Sequence, residues 1–384
     1  MSGALVLGRI HGIAIRIHYT WLIAFALITW SLAQGFFPSS YPGWATTTYW
    51  IMGAVAAIGL FGSVLIHELS HSFMALARGK KVEGITLFIF GGVSSISDEA
   101  DRPKDELLIS IVGPLTSFAI AAAAWLLVVA LAPGNTPLGA ILGYLALVNL
   151  LVGIFNLLPG FPLDGGRVLR SAVWAATGSL RRATEIASYV GQGFGFLLIF
   201  WGAWQIFAGD FLNGIWIAFV GWFLNNAAES TRAQQQVKES LDGVRVSDLM
   251  APMPPLLDAA TSVQDLVMSH LVRGGARAVL VGRSGEVSGI VSITDIKELD
   301  QDQWPVTPLS QIMTPVPLKS VTPDTDVNDA LRLLAEHDLH QLPVLVRGQA
   351  VGMLSRADIM RFLRTRRDLG LHQMQEPPAR RKAA

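Results

Sequence analysis

Residues 63–73 read SVLIHELSHSF. The stretch closes a run of 48 residues, 19–66, that holds no charged side chain and no histidine. His67, Glu68 and His71 are thus the first ionisable groups after a long apolar tract, and they fall within five positions. On a helix, a spacing of four sets His67 and His71 one above the other, so both imidazoles reach a single cation. Glu68 stands about 100° round from His67, beside the ion rather than on it. There its carboxylate can take a proton from a water that the metal activates. A bare His-Glu-x-x-His also arises by chance in long soluble helices. In a bilayer, however, each ionisable group costs about 2.5–3.5 kcal/mol on insertion scales, and such groups mark function. The setting favours a metal site.

Composition supports that setting. The 384-residue chain is 51% hydrophobic and only 15% charged, whereas soluble domains carry about 25% charged residues. The excess lies before about residue 228; beyond it the charge content is that of a soluble domain. Two regions in two solvents are implied. Net charge is zero, which gives no argument for direct nucleic-acid binding. Without cysteine there is no disulfide, no thiolate nucleophile and no Cys-ligated zinc. A metal must be held by nitrogen and oxygen.

A membrane helix needs about 20 mainly apolar residues, and six stretches qualify: 19–37, 49–77, 107–131, 138–159, 186–207 and 211–228. Arg9 and Arg16 precede the first and, with His11 and His18, interrupt the N-terminal apolar residues, so no cleavable signal is expected there. Arg78, Lys80 and Lys81 follow the second stretch, Arg167, Arg170, Arg181 and Arg182 the fourth, and Arg232 and Lys238 the sixth. The other loops, 38–48, 132–137 and 208–210, contain no Lys or Arg. Excess basic charge stays cytoplasmic, so both termini are expected in the cytoplasm of a multi-pass cell-membrane protein. On that side, GIAIRIH (12–18) alternates like a strand, and VEGITLFIFGGVSSIS (82–97) reads as a hairpin or two short strands. A small membrane-associated sheet is expected.

A zinc hydrolase needs a third protein ligand and an open fourth position. After Glu106 the next charged residue is Asp164, in FNLLPGFPLDGGRVLRS (155–171), at the cytoplasmic end of the fourth stretch and so at the depth of the histidines. Pro159, Pro162, Gly165 and Gly166 break the helix there, as is tolerated where backbone is enclosed by protein or lines a water-filled cavity. Alone, Asp164 would equally be a cap opening the next cytoplasmic segment. Beside two intramembrane histidines it is the candidate oxygen ligand.

With these motifs the membrane half, about 5–228, resembles the site-2 proteases, which are intramembrane zinc metalloproteases. HELSH (67–71) matches the zinc-helix motif, and NLLPGFPLDGG (156–166) matches the second motif, Asn and Pro followed by Asp-Gly. Gly113-Pro114 matches the start of a third-helix motif that often continues to Asn; this chain has Thr116 and Ser117 instead, and no role is carried over. The resemblance implies one Zn2+ per chain on His67, His71 and Asp164, with Glu68 as catalytic base. It implies that Asn156 and Pro159 position substrate or stabilise the oxyanion, and that FGG (90–92), with Gly91 and Gly92, belongs to a strand holding unwound substrate. Substrates of the family are single-span, membrane-tethered regulators, such as anti-sigma factors or transcription-factor precursors, cut in or beside the transmembrane helix.

The second half repeats itself. VSDLMAPMPPLL (246–257) is echoed by LSQIMTPVPLKS (309–320), and GIVSITDI (289–296) by GMLSRADI (352–359). Met250 to Met313 and Asp295 to Asp358 are both 63 residues apart, so two tandem units are expected. Each reads as an opening strand, a helix, two strands and a closing helix. Over about 244–366 this resembles a pair of CBS domains, which commonly bind adenine nucleotides. The resemblance implies that Asp295 and Asp358 meet ribose hydroxyls, with Ser292, Thr294 and Ser355 near phosphate, and that Pro343 precedes the nucleotide-lining strand. ATP or AMP is then the expected regulator and homodimer formation through the CBS pair a further expectation, with a purely structural or dimerising role, without nucleotide, as the alternative.

The organisation expected is a polytopic α-helical membrane domain (1–228) of six transmembrane helices with a small β-sheet, a linker (229–243), and a cytoplasmic α/β CBS pair (244–303 and 304–366). A disordered tail (367–384) completes it. The alternative is a nucleotide-regulated metal transporter or channel. Transport favours ionisable groups along several spans and an inverted repeat; here they gather at one level of two helices. An inactive scaffold would have no use for Glu68.

Overall fold

The structure, a computed structural model, describes residues 4–89, 91–96, 100–131, 135–252, 256–272, 277–283 and 286–370. The chain divides into two compact units, 1–235 and 236–384.

The first unit opens with strands β1 (Ala4–Ile10) and β2 (Ile13–His18). They are joined by His11 and Gly12, both at positive φ, as a two-residue hairpin turn requires. Then come the helix α1 (Thr20–Ser40), whose middle turn is π-helical, and the 32-residue α2 (Thr46–Ala77). Strands β3 (Val82–Phe88) and β4 (Gly91–Ile96) follow. The rest is helical: α3 (Pro103–Leu131), α4 (Pro137–Asn156), α5 (Asp164–Thr177), α6 (Leu180–Phe207) and α7 (Phe211–Leu241). The strands form one sheet in the order β1-β2-β3-β4, parallel only between β2 and β3. Strands are there within the expected 12–18 and 82–97, as Ile13–His18, Val82–Phe88 and Gly91–Ile96, with residues 90 and 97 outside the described residues. The sheet gains β1, which nothing in the sequence reading foresaw: its apolar residues do not alternate, and Leu5, Val6 and Leu7 are all exposed.

Among the described residues, five helices, α1, α2, α3, α4 and α6, are long and apolar enough to cross a membrane. The sixth expected stretch, 211–228, is helical within α7, but Asn213, Asn225 and Asn226 make it less apolar than the five. The fourth ends at Asn156 rather than at 159. Outward-facing Ile51, Ile58, Trp125, Leu126, Phe200 and Trp204 are exposed, far more apolar surface than a soluble monomer shows. Inside, α2 buries Met52, Ala56, Ser63, His67, His71 and Ala75 along one stripe. The facing stripe of α3 is Glu106, Ile109, Gly113, Ser117, Ala121 and Ala124. Helices α6 and α7 approach backbone to backbone: a Cβ on Gly221 would lie 2.5 Å from the Gly195 carbonyl oxygen. Small residues permit such contact in lipid, where apolar side chains give helices no reason to associate.

The second unit begins within α7, which stays helical to Leu241 through most of the expected linker. Its strands are β5 (Ala251–Pro252), β6 (Ala278–Arg283), β7 (Glu286–Ser292), β8 (Thr314–Pro315), β9 (Gln341–Val346) and β10 (Gln349–Ser355). Its principal helices are α8 (Val263–Asp265, continued as a π-helix to Val272), α9 (Ile293–Lys297), α10 (Val327–Glu336) and α11 (Arg356–Asp368). The repeat is visible as duplicated pairing: Leu257 bridges Val281 as Val321 bridges Val344. The opening segments are exchanged. β5 pairs with β10, and β8 with β7. Accordingly Leu241 and Val246 lie in the core formed by Val327, Leu334, Leu342 and Leu354, while Leu309 lies in that of Val263, Val279 and Val291. The 371–384 part of the expected tail lies outside the described residues, as does Phe90 of FGG.

Candidate metal centre

Helix α2 delivers His67 and His71 one turn apart, both buried. Asp164 arrives by another route. It is the first residue of α5, not the end of the fourth apolar helix, and 157–163 turns the chain between them. The turn is pinned to α6 by the Phe161 amide, which donates to the Ala187 carbonyl at 3.2 Å.

The three ligand atoms form a nearly equilateral triangle. His67 Nε2 lies 3.1 Å from His71 Nε2, and Asp164 Oδ2 lies 3.1 Å from the first and 3.2 Å from the second. Tetrahedral zinc with ligands at about 2.0–2.1 Å requires edges of about 3.3–3.4 Å, so the triangle matches one face of that tetrahedron. Two imidazole nitrogens and one carboxylate oxygen are also a donor set that suits catalytic zinc. The residues fit the ion. Among the described residues no other cluster of His, Asp or Glu has this form.

The imidazoles are held from behind. His71 Nδ1 lies 2.5 Å from the Ile109 carbonyl oxygen, and His67 Nδ1 lies 2.9 Å from Ser117 Oγ. Both partners are on α3. Between them a Cβ on Gly113 would overlap His71 Nε2 and lie 2.6 Å from His67 Nε2. Only glycine leaves room for the triangle.

Glu68, half-buried, lies under β4: a Cβ on Gly92 would be 2.6 Å from Glu68 Cγ. One turn on, Ser72 Oγ is hydrogen-bonded to Ser94 Oγ at 2.7 Å. The strand carrying Gly91 and Gly92 is thus docked along the helix carrying the histidines, and its outer edge has no strand partner among the described residues. Asn156 is the half-buried last residue of α4, and Pro159 is exposed in the turn before Asp164. The sequence reading did not find Ile109, Gly113 or Ser117 as supports. Their spacing of four, matching that of the histidines, was the available signal.

In the second unit Ser292 and Asp295 sit at the start of α9, and Ser355 and Asp358 at the start of α11. Each pair closes a capping box. Asp295 Oδ2 accepts from Ser292 N and Oγ, both at 2.7 Å; Asp358 Oδ2 accepts from Ser355 N at 3.1 Å and Oγ at 2.5 Å. Asp358 Oδ1 also meets Arg361 at 3.2 Å. Thr294 is exposed, and Pro343 is buried on β9 opposite Met353.

Comparison with known proteins agrees with this architecture. The family model for Peptidase family M50 matches residues 55–138 and 132–198, and that for the CBS domain matches 246–302 and 309–365. A Synechocystis protein named as a zinc metalloprotease is 32% identical over 95% of this chain and 97% of its own. The zinc metalloprotease MJ0392 of Methanocaldococcus jannaschii is 30% identical over 94% of this chain and 97% of its own. The solved site-2 protease of the same archaeon is 32% identical, covering 60% of this chain and 95% of that one, with a TM-score of 0.43. The chain belongs to Peptidase family M50, the site-2 zinc metalloproteases, and carries a tandem pair of CBS domains.

Proposed function

We propose that this protein is a multi-pass cell-membrane endopeptidase of six spans, with both termini in the cytoplasm. Its substrates are single-span, membrane-tethered regulators of the anti-sigma-factor or transcription-factor-precursor kind. The observation that carries the reading is the ligand triangle of His67, His71 and Asp164 with Glu68 next to it beneath Gly92. Bound on the triangle, zinc supplies Lewis acidity toward the scissile carbonyl and the attacking water.

The protein's own groups do the rest. Glu68 takes the proton from the attacking water and returns it to the leaving amine, general acid–base work that contributes about 10²–10⁴-fold. Asn156 offers its side-chain amide to the oxyanion, and Pro159 with the 157–163 turn shapes the approach. A substrate helix must unwind before its peptide bond is accessible. The outer edge of β4, at Gly91 and Gly92, which no strand pairs among the described residues, supplies hydrogen bonds to the extended segment, as strand addition does elsewhere. Support comes from the docking of β4 on α2, with the face of Gly92 against Glu68.

The CBS pair, 244–303 with 304–366, binds ATP or AMP through Asp295 and Asp358 with Ser292, Thr294, Ser355 and Pro343, and so modulates cleavage; it also serves as a surface for homodimer formation. Nucleotide can bias the enzyme only if it binds two arrangements with different affinity. The test is reconstitution into proteoliposomes with a panel of single-span regulators. Mass spectrometry should find fragments cut in or beside the membrane segment, zinc-dependent and absent with Glu68→Gln. Intact regulators throughout the panel, with zinc-loaded protein, would remove this substrate class.

A further inference from the structure

The zinc motif accounts for α2 and α5 but not for the face of α3 behind it. Three serine or threonine hydroxyls lie close together on that helix. Ser110 Oγ donates to the Glu106 carbonyl and Thr116 Oγ1 to the Val112 carbonyl, both at 2.8 Å. That is the usual habit of such residues inside helices, back-bonding four residues earlier. Ser117 differs. Its Oγ, on a residue 1% exposed, lies 2.9 Å from His67 Nδ1 across the helix interface.

The chemistry of the contact follows from the triangle. An imidazole that turns its Nε2 lone pair to a cation carries its proton on Nδ1, and a buried N–H needs an acceptor. For His71 that acceptor is the main-chain carbonyl of Ile109, which no side-chain substitution removes. For His67 it is a hydroxyl, which one substitution removes. The two supports straddle Gly113 at a spacing of four, so one face of α3 holds both rings and clears room for their metal-facing edges.

We propose that Ser117 is a positioning residue of the metal centre: it accepts the His67 Nδ1 proton, fixes the ring's tautomer and orientation, and so raises zinc affinity. The proposal rests on the zinc reading of His67, His71 and Asp164. Partners of this kind typically account for 10–100-fold in metal affinity.

The test compares Ser117→Thr with Ser117→Val in the full-length chain purified in detergent. The two side chains share a shape and differ in the hydroxyl, so any overpacking by the added methyl affects both alike. Zinc dissociation constants are read by chelator competition, and the visible spectrum of the cobalt-substituted protein reports ligand geometry. We expect the Val variant to bind zinc about 10–100-fold more weakly than the Thr variant, with an altered cobalt spectrum and an equal melting midpoint of the metal-free protein. Equal constants and superimposable spectra would overturn the role of Ser117. Wild-type protein that binds no zinc would instead overturn the zinc reading. Should both variants fail to accumulate, Ser117→Ala compared with wild type on the same two readouts decides in the same way.

Discussion

Arg170 of α5 and Glu106 of α3 form a buried ion pair: Arg170 Nε donates to Glu106 Oε1 at 2.6 Å, and Glu106 is 0% exposed. The guanidinium also lies 5.3 Å from the centroid of Phe161, in the turn that leads into Asp164. One side chain thus ties the helix that opens with Asp164, and the turn before it, to the helix that backs both histidines. Removing Arg170 leaves Glu106 to the more distant Arg167, whose Nε lies 3.9 Å from Oε1; a buried charge without a close partner costs about 3–5 kcal/mol. Arg170→Met should lower the melting midpoint sharply and weaken zinc retention. The double replacement Glu106→Leu with Arg170→Met should be milder than either single change, because no charge is left unpaired. A double variant as damaged as the sum of the singles would show that the two side chains act independently, and would overturn the stranded-charge account.

Gly113→Ala tests the clearance directly. The new Cβ overlaps His71 Nε2 and meets His67 Nε2, so the imidazoles must swing off the triangle. Zinc content of the purified variant should fall to a small fraction of one per chain while helix content by circular dichroism is kept. Stoichiometric zinc in that variant would mean that α3 can retreat.

Asp164→Ala leaves two imidazoles, and zinc retention and activity should both be lost. Asn156→Ala, by contrast, should lower kcat and leave metal content at the wild-type value, since Asn156 is not part of the triangle. Metal analysis after dialysis, beside turnover, separates the two.

Adenine nucleotide should bind the full-length chain, and Asp358→Ala should weaken binding more than Asp295→Ala, because the second repeat has Pro343 where the first, 63 residues earlier, has Leu280. Arg361 meets Asp358 Oδ1 but is 74% exposed on its side chain; an exposed pair of this kind is worth about 0–1 kcal/mol and should yield to ribose. Isothermal calorimetry showing no heat with ATP or AMP at about millimolar concentration, the weak limit at which binding is still measurable, would leave the pair a structural or dimerising module.

The helices and the cluster that could hold a metal were legible because lipid makes each ionisable group costly: His67, His71 and Asp164 stand out against runs of 48 and 57 uncharged residues, 19–66 and 107–163. Pattern failed where the interaction is main-chain or shape. The Ile109 carbonyl has no sequence signature, and Gly113 and Ser117 are small residues of the sort any membrane helix uses for packing. β1 escaped because ALVLGRI is apolar on both faces. The exchange of β5 and β8 between repeats also could not be read, since a repeat shows what is duplicated, not which copy each opening segment joins.

The central claim is that Glu68 does the proton transfer beside a zinc held by His67, His71 and Asp164. Glu68→Gln keeps the side chain's shape against Gly92 and leaves all three ligands in place. The most direct measurement is metal content and cleavage of a single-span regulator by the same purified Glu68→Gln sample. The account predicts one zinc per chain with cleavage reduced by at least about 10²-fold. Zinc at full occupancy together with near wild-type cleavage would contradict it.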